Sequence, residues 1–341
     1  AGFMSCIHLE NKQRIYELSQ TQYNFEPENV QVALNHLFST DAKVQLCYPF
    51  ETMHGPKSLF EQAILPLSQS IDDLERRDTI IIAGETEQGA SWVGACGYYC
   101  GTFSKPFLDI PPTGHMVSMR FHEFYKFDKG KVCEFQAIWD IPELMMQANA
   151  WPMVPSLGRE WHVPGPATLD GISLVEQEKG LTHKALKTVV NMCDALGNYA
   201  AGGVKAMQLE KYWHPKCSWY GPSGIGTART LNGFRNWHQI PFLNGLPDRV
   251  GDPHLGHAFA DNSYVGFTAW PGMSMTVSGS GWLGIAPGGQ KITMRSLDFW
   301  RLEGSLIREN WVLIDLLSVY MQLGVDVLAR MREFNKARNN Q

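Results

Sequence analysis

Slid against itself by 175 residues without gaps, the chain aligns 109–147 with 284–322 and matches at ten of 39 positions. Composition alone would give roughly two or three matches, so the chain contains a duplicated unit. Met119, Arg120 and Phe124 fall on Met294, Arg295 and Phe299, Asp140 falls on Asp315, and Met146–Gln147 falls on Met321–Gln322. Pro66 and Pro241 correspond at the same offset, which extends the repeat toward the start of each copy. With 341 residues to divide, each copy is an ordinary domain of roughly 150–170 residues. The Pro- and Gly-rich stretch 151–178 carries no sustained period and is the expected junction. The expected layout is 4–155 for a diverged first domain, 156–178 for a linker, and 179–335 for a better preserved second domain.

Within each copy a helical stretch comes first, over 28–39 and 183–212, where apolar residues recur at three- and four-residue steps. A short strand (Val44 to Tyr48; Cys217 to Tyr220) and a helix (58–70; 230–240) follow. Runs rich in aliphatic and aromatic residues come last, such as Tyr264 to Trp270, Ile292 to Leu302 and Leu306 to Ile314, separated by Gly or Pro turns. Helices before a strand meander make an α+β class, in which a curved antiparallel sheet needs its apolar face covered. The space between helices and sheet is a natural pocket.

The charge balance removes some partners. A net charge of −5 and a pI near 6.1 supply no basic excess for phosphate backbones, so nucleic acid is not expected. No apolar run reaches the roughly 18 residues that span a bilayer, and the opening stretch lacks the apolar core of a signal peptide, so no membrane is expected and the placement is cytoplasmic. Seven cysteines without C-x-x-C pairs suggest neither a disulfide framework nor a zinc site. Asp252, His254, His257 and Asp261 lie near one another in sequence but have no HExxH frame, so no metal is assigned.

The second copy reads GWLGIAPGGQKITMRSLDFWRLEGSLIRENWVLIDLLSVYMQLGVDV, with a G-x-A-P-x-G turn, an arginine-led strand, an E-x-W-x-x-x-D strand and a trailing Q-L-G helix. Over 217–326 this resembles the SnoaL-like polyketide cyclase branch of the NTF2-like superfamily. The first copy keeps DIPPTG and MRFHEFYKFDKGK but has Gln136 where the motif has tryptophan. The resemblance implies two tandem cystatin-like α+β cones, each with an apolar pocket and no cofactor. It further implies acid/base chemistry by a carboxylate on an apolar oxygenated small molecule, as an aldol cyclase, isomerase or lyase. NTF2-like domains commonly pair through their sheets, so the copies are expected to form an internal pseudo-dimer, with a homodimer of whole chains also open.

Proton abstraction beside a carbonyl needs a base whose pKa an apolar pocket raises, and a donor for the enolate oxygen. Asp315 is the first candidate, because strand alternation sets Glu309, Trp311, Leu313 and Asp315 on one face; as an N-cap for the helix at Leu316 it would serve only structure. Asp298 is the second, on a face shared with Met294, Ser296 and Trp300. His238 is the candidate acid or donor, and Trp219, Tyr220, Trp311 and Glu309 are candidate substrate contacts. Their first-copy counterparts are Asp140, Glu123 and His122. The competing readings are a noncatalytic small-molecule binder and a pseudo-dimeric scaffold.

Overall fold

The computed structural model describes residues 2–251 and 256–339. In the first unit the strands are β1 (Phe38–Leu46), β2 (Glu51–His54), β3 (Glu75–Glu85), β4 (Ser91–Thr102), β5 (Met116–Asp128) and β6 (Lys131–Trp139), which form one sheet in the order β2-β1-β6-β5-β4-β3. Only the β1–β6 pair is parallel. The turn from β5 to β6 is tight because Lys129 and Gly130 both take positive φ, the conformation a two-residue hairpin demands. Helices Gly2–Tyr23, Pro27–Leu37 and Gly55–Leu59 close one face of the sheet.

The second unit repeats this plan through β7 (Trp213–Tyr220), β8 (Thr227–Arg229), β9 (Val250–Gly251), β10 (His257–Asp261), β11 (Tyr264–Thr268), β12 (Met273–Thr276), β13 (Lys291–Met294), β14 (Ser296–Glu303) and β15 (Leu306–Ile314). Its main sheet runs β10-β11-β14-β15-β7-β8, the same order as in the first unit. The offset of 175 found in the sequence carries β6 onto β15, and helix Ile141–Gln147 onto Leu316–Gln322, residue for residue. It also carries a π-helical turn, Phe60–Ile64, onto Arg235–Gln239. In both copies this turn runs into a helix whose second residue is the shared proline. Proline lacks the N–H for an i→i−4 bond and crowds the preceding turn, which winds wide.

The copies differ where the long strands of the first become pairs of short ones in the second. β4 is continuous over twelve residues, whereas its counterpart stops at Thr268, passes the cis Trp270–Pro271 bond and resumes at Met273. β3 corresponds in the same way to β9 and β10, and β5 to β13 and β14. The pieces β9, β12 and β13 form a separate three-stranded sheet.

The outer faces of the two main sheets pack against each other at the middle of the chain. Phe124 stacks on its own repeat mate Phe299 at 4.9 Å, and His122 Nδ1 lies 2.8 Å from the carbonyl of Leu297, again its mate. A local dyad therefore passes between β5 and β14. Gly84 sits where a Cβ would come within 2.5 Å of the Ala260 carbonyl, so the backbones there approach more closely than any side chain allows. Residues 151–178, irregular throughout, are bound into this seam: Val163 N donates to Tyr98 Oη, Trp311 Nε1 donates to Pro164 O, and Ile81 N donates to Gly171 O. Among the described residues no helix is long and apolar enough to cross a membrane.

Candidate active site

Between the helices and sheet of the second unit lies a cavity of about 150 Å³, walled by Trp213, Trp219, Phe234, Phe242, Trp300 and Val312. An apolar cavity of about 150 Å³ holds a benzene ring. Polar groups reach it from Ser296 and Asp298 on β14, Asn310 on β15, His238 and Gln239 on the π-helical turn, and Arg249 before β9. The indole N–H groups of Trp213 and Trp300 and the amide oxygen of Gln239 are buried in its wall without a partner, so hydrogen-bonding capacity there is unspent. His238 also borders an open groove of about 540 Å³, lined by Trp237, by Val154 to Leu157 and by the Gly284–Ala286 part of the G-x-A-P-x-G turn.

Asp298 has a single hydrogen bond, from Ser296 Oγ at 3.2 Å. Burial among apolar groups pushes its carboxyl up to about 7, and the Ser296 hydroxyl offsets only part of that. The His238 ring stacks on Trp219 at 3.8 Å and lies near Phe234 and Phe242. Burial, assisted by the nearby Arg249 charge, pushes the imidazole down to about 3. In this aromatic stack the ring is neutral at physiological pH and offers one N–H and one acceptor nitrogen.

The remaining sequence candidates of the second unit lie elsewhere. β15 alternates, and the cavity receives Asn310, Val312 and Ile314, so Glu309 and Trp311 face away from it, toward the 151–178 segment. Glu309 is bound there by Arg301 Nε at 2.6 Å, Tyr220 Oη at 2.9 Å and Ala167 N. Tyr220 and Trp311 pack together at 5.3 Å on this face, while Trp219 alone of the proposed contacts lines the cavity. Asp315 caps helix Leu316–Gln322 through Ser318 N, pairs with Arg295 at 3.0 Å, and accepts Tyr48 N from the first unit at 3.0 Å. Its mate Asp140 accepts Ser223 N at 3.0 Å, and Ser223 is the repeat mate of Tyr48. These two acids join the units, and burial raises both to about 6. Asp252 and His254 lie outside the described residues; His257 packs on Trp92 at 4.8 Å and Asp261 pairs with Lys12 at 2.5 Å.

The family model described as SnoaL-like polyketide cyclase matches residues 79–148, from β3 through the helix after β6. That segment is similar to the SnoaL-like polyketide cyclase family. Solved structures similar to it include AclR from Streptomyces galilaeus, 19% identical, covering 43% of this chain and 86% of that one with a TM-score of 0.36. A SnoaL-like polyketide cyclase from Agrobacterium tumefaciens is 17% identical over 40% of this chain and 96% of its own, with a TM-score of 0.32. An NTF2-like protein from Burkholderia thailandensis is 15% identical over 41% and 96%, with a TM-score of 0.31. No curated protein matches. The fold is two tandem α+β units, each a six-stranded sheet covered by helices.

The family match falls in the first unit, and there the equivalent cavity is filled. Only about 10 Å³ remains around Glu123, the mate of Asp298. Glu123 receives hydrogen bonds from Arg76, from Tyr99 Oη at 2.7 Å, Tyr125 Oη at 2.8 Å and Trp139 Nε1 at 3.0 Å. Arg76 lies over Phe121 and is held by Asp78 and by Gln22 of the first helix. The offset puts Gly251 at the position of Arg76, Ser274 at Tyr99, Ser296 at Phe121 and Ile314 at Trp139. Each is smaller, and Gly251, Ser296 and Ile314 line the second cavity. His122 is not a site residue in the first unit, since it faces the seam and burial holds it well below its ordinary range.

Arg249, Trp213, Gln239 and Asn310 are site residues that the sequence reading passed over. The parity of β15 would have found Asn310, one position from the face chosen. Arg249 and Gln239 have no motif around them.

Proposed function

We propose that the second unit is a cofactor-independent acid/base enzyme of the aldol cyclase, isomerase or lyase type, acting on an apolar oxygenated small molecule. The observation that carries this is Asp298: a carboxyl at the wall of an aromatic, ring-sized cavity, with one hydroxyl as partner and a pKa near 7. Such a group is half ionised at physiological pH and able to take a proton from a carbon beside a carbonyl and return it elsewhere. The oxygen that gains charge needs a donor. Neutral His238 and the unspent indole N–H groups of Trp213 and Trp300 are the donors nearest to hand.

In this reading the first unit is a noncatalytic partner that completes an internal pseudo-dimer. Its filled cavity and its half of the Asp140 and Asp315 contacts favour that role.

The test is a screen of ring-sized carbonyl compounds for binding, followed by turnover of the compounds that bind. Asp298→Asn is expected to lower turnover about 10²–10⁴-fold while binding persists. Equal turnover by Asp298→Asn and wild type sinks the assignment of the base, and binding with no turnover of any compound moves the protein to the class of carriers.

A further inference from the structure

We propose that Arg249 anchors the carboxylate of a ring-sized organic acid, whose carbon skeleton then extends across the second-unit cavity toward Asp298. This rests on the reading of that cavity as a substrate site and adds the charge of the substrate to it.

Arg120 is buried against backbone carbonyls, donating to Gly221 O and Tyr220 O, and three other arginines that lie wholly or partly in the interior meet carboxylates. Arg76 is matched by Asp78 and Glu123, Arg295 by Glu51 and Asp315, and Arg301 by Glu309 and Glu303. In all three, burial works against the charge but the carboxylates outweigh it and hold the guanidinium up. Arg249 runs the other way. It lines the cavity, and among the described residues its polar contact is the Met273 sulfur at 3.6 Å, with no carboxylate at hand. Burial pushes it down from the ordinary arginine value, and among the described residues the Cys193 thiol alone opposes this. A guanidinium stays charged in proteins, so desolvating one without an anion costs free energy that a bound anion would recover. A carboxylate fits its planar fork with two parallel hydrogen bonds.

The carboxylate already in the cavity does not serve. Among the described residues no ion pair joins it to Arg249: Asp298 takes its hydrogen bond from Ser296 Oγ, and burial raises its carboxyl. The cavity wall thus carries an acid and a cation with no bond between them, and Cys193 and His238 line the same space. A ligand spanning it meets a cation at one end, aromatic walls along its length and a proton acceptor at the other. That arrangement suits an aromatic or alicyclic acid. The first unit offers an internal parallel, since there Arg76 and Glu123 meet directly over Phe121 and no room is left for a ligand.

The experiment titrates benzoate and methyl benzoate into the full chain, following calorimetry and the fluorescence of the cavity tryptophans. Wild type is expected to bind benzoate at least tenfold more tightly than its ester. Arg249→Met is expected to lose that preference while holding methyl benzoate as wild type does, which also reports an intact cavity. Arg249→Lys keeps a charge without the fork and should retain part of the preference, so it carries the test if the methionine variant fails to fold. Asp298→Asn is expected to bind benzoate as well as wild type does. Equal binding of acid and ester by wild type, an unchanged preference in both Arg249 variants, or no benzoate binding at millimolar concentration would overturn the anchor. Loss of turnover in Asp298→Asn concerns the base alone, so the two ideas fail separately.

Discussion

In the first unit a carboxylate at the middle of the sheet is held by four donors from side chains packed around it; in the second, the acid at the same position has one. The backbone order is the same in both, so the difference comes from a handful of side chains and from three broken strands. Arginine, tyrosine, phenylalanine and tryptophan at four positions of the first unit satisfy and fill the space around Glu123. Glycine, two serines and isoleucine at the matching positions leave Asp298 poorly satisfied beside a cavity. A buried acid with full hydrogen bonding is a structural element, and one left nearly bare is chemically available. Duplication permits this split, because one copy can give up its pocket for packing while the other keeps it.

The hardest blow to that comparison is Arg76→Met. It leaves Glu123 and Asp78 buried without their cation, and the expected loss is about 3–5 kcal/mol in denaturant unfolding. A loss below about 1 kcal/mol would mean that ion pairing is not what closes the first cavity. At temperatures where the variant stays folded, ligand binding in the second unit should be unchanged.

A smaller effect tests whether Asp315 belongs to the seam. Asp315→Ala removes the cap at Ser318, the pair with Arg295 and the acceptor for Tyr48 N, for an expected cost of about 1–3 kcal/mol. Turnover of any substrate of the second unit should persist in the variant at temperatures where it is folded. Persistent stability with lost turnover would return Asp315 to the catalytic centre.

The duplication was legible from sequence because the closing strands and the helix after them keep one offset without a gap, and that offset holds in the structure from β1 and β7 onward. The first helix, Gly2–Tyr23, was missed for a physical reason. The residues it buries include Asn11, Lys12, Ser19 and Gln22 beside Ile15 and Leu18, so its inner face has no apolar stripe to read. The site was half legible. Asp298, His238 and Trp219 converge on the cavity, but Asp315, Glu309, Tyr220 and Trp311 lie on the other side of the sheet, where Asp315 meets the first unit and Glu309 and Trp311 meet the 151–178 segment. Alternation says which residues share a face and leaves open which face is the pocket. Here both faces are buried, one by helices and one by the second sheet, so hydrophobicity could not decide between them.

The smallest effect distinguishes the two acids by sign. Below about pH 4 Asp298 carries its proton in both the folded and the unfolded chain, so Asp298→Asn should match wild type in stability. As pH rises from about 4 toward 7, an unfolded aspartate ionises while the folded one keeps its proton at a cost, and wild type loses stability relative to the variant. The gap should level off above pH 7 at about 1–2 kcal/mol once contact with water through the cavity is allowed for, which is a few degrees in Tm. Asp140 and Asp315 titrate through an overlapping range, but they are present in both proteins and cancel in the difference. Glu123→Gln should do the reverse at neutral pH, since the carboxyl group pairs with Arg76 and the amide gives that up. Melting curves of the two variants at pH 5 and pH 8 therefore read the comparison directly: the second-unit variant gains on wild type as pH rises, and the first-unit variant stays below it. A gain in both would mean that Glu123 is as poorly satisfied as Asp298, and the contrast between a filled and an available site would fall.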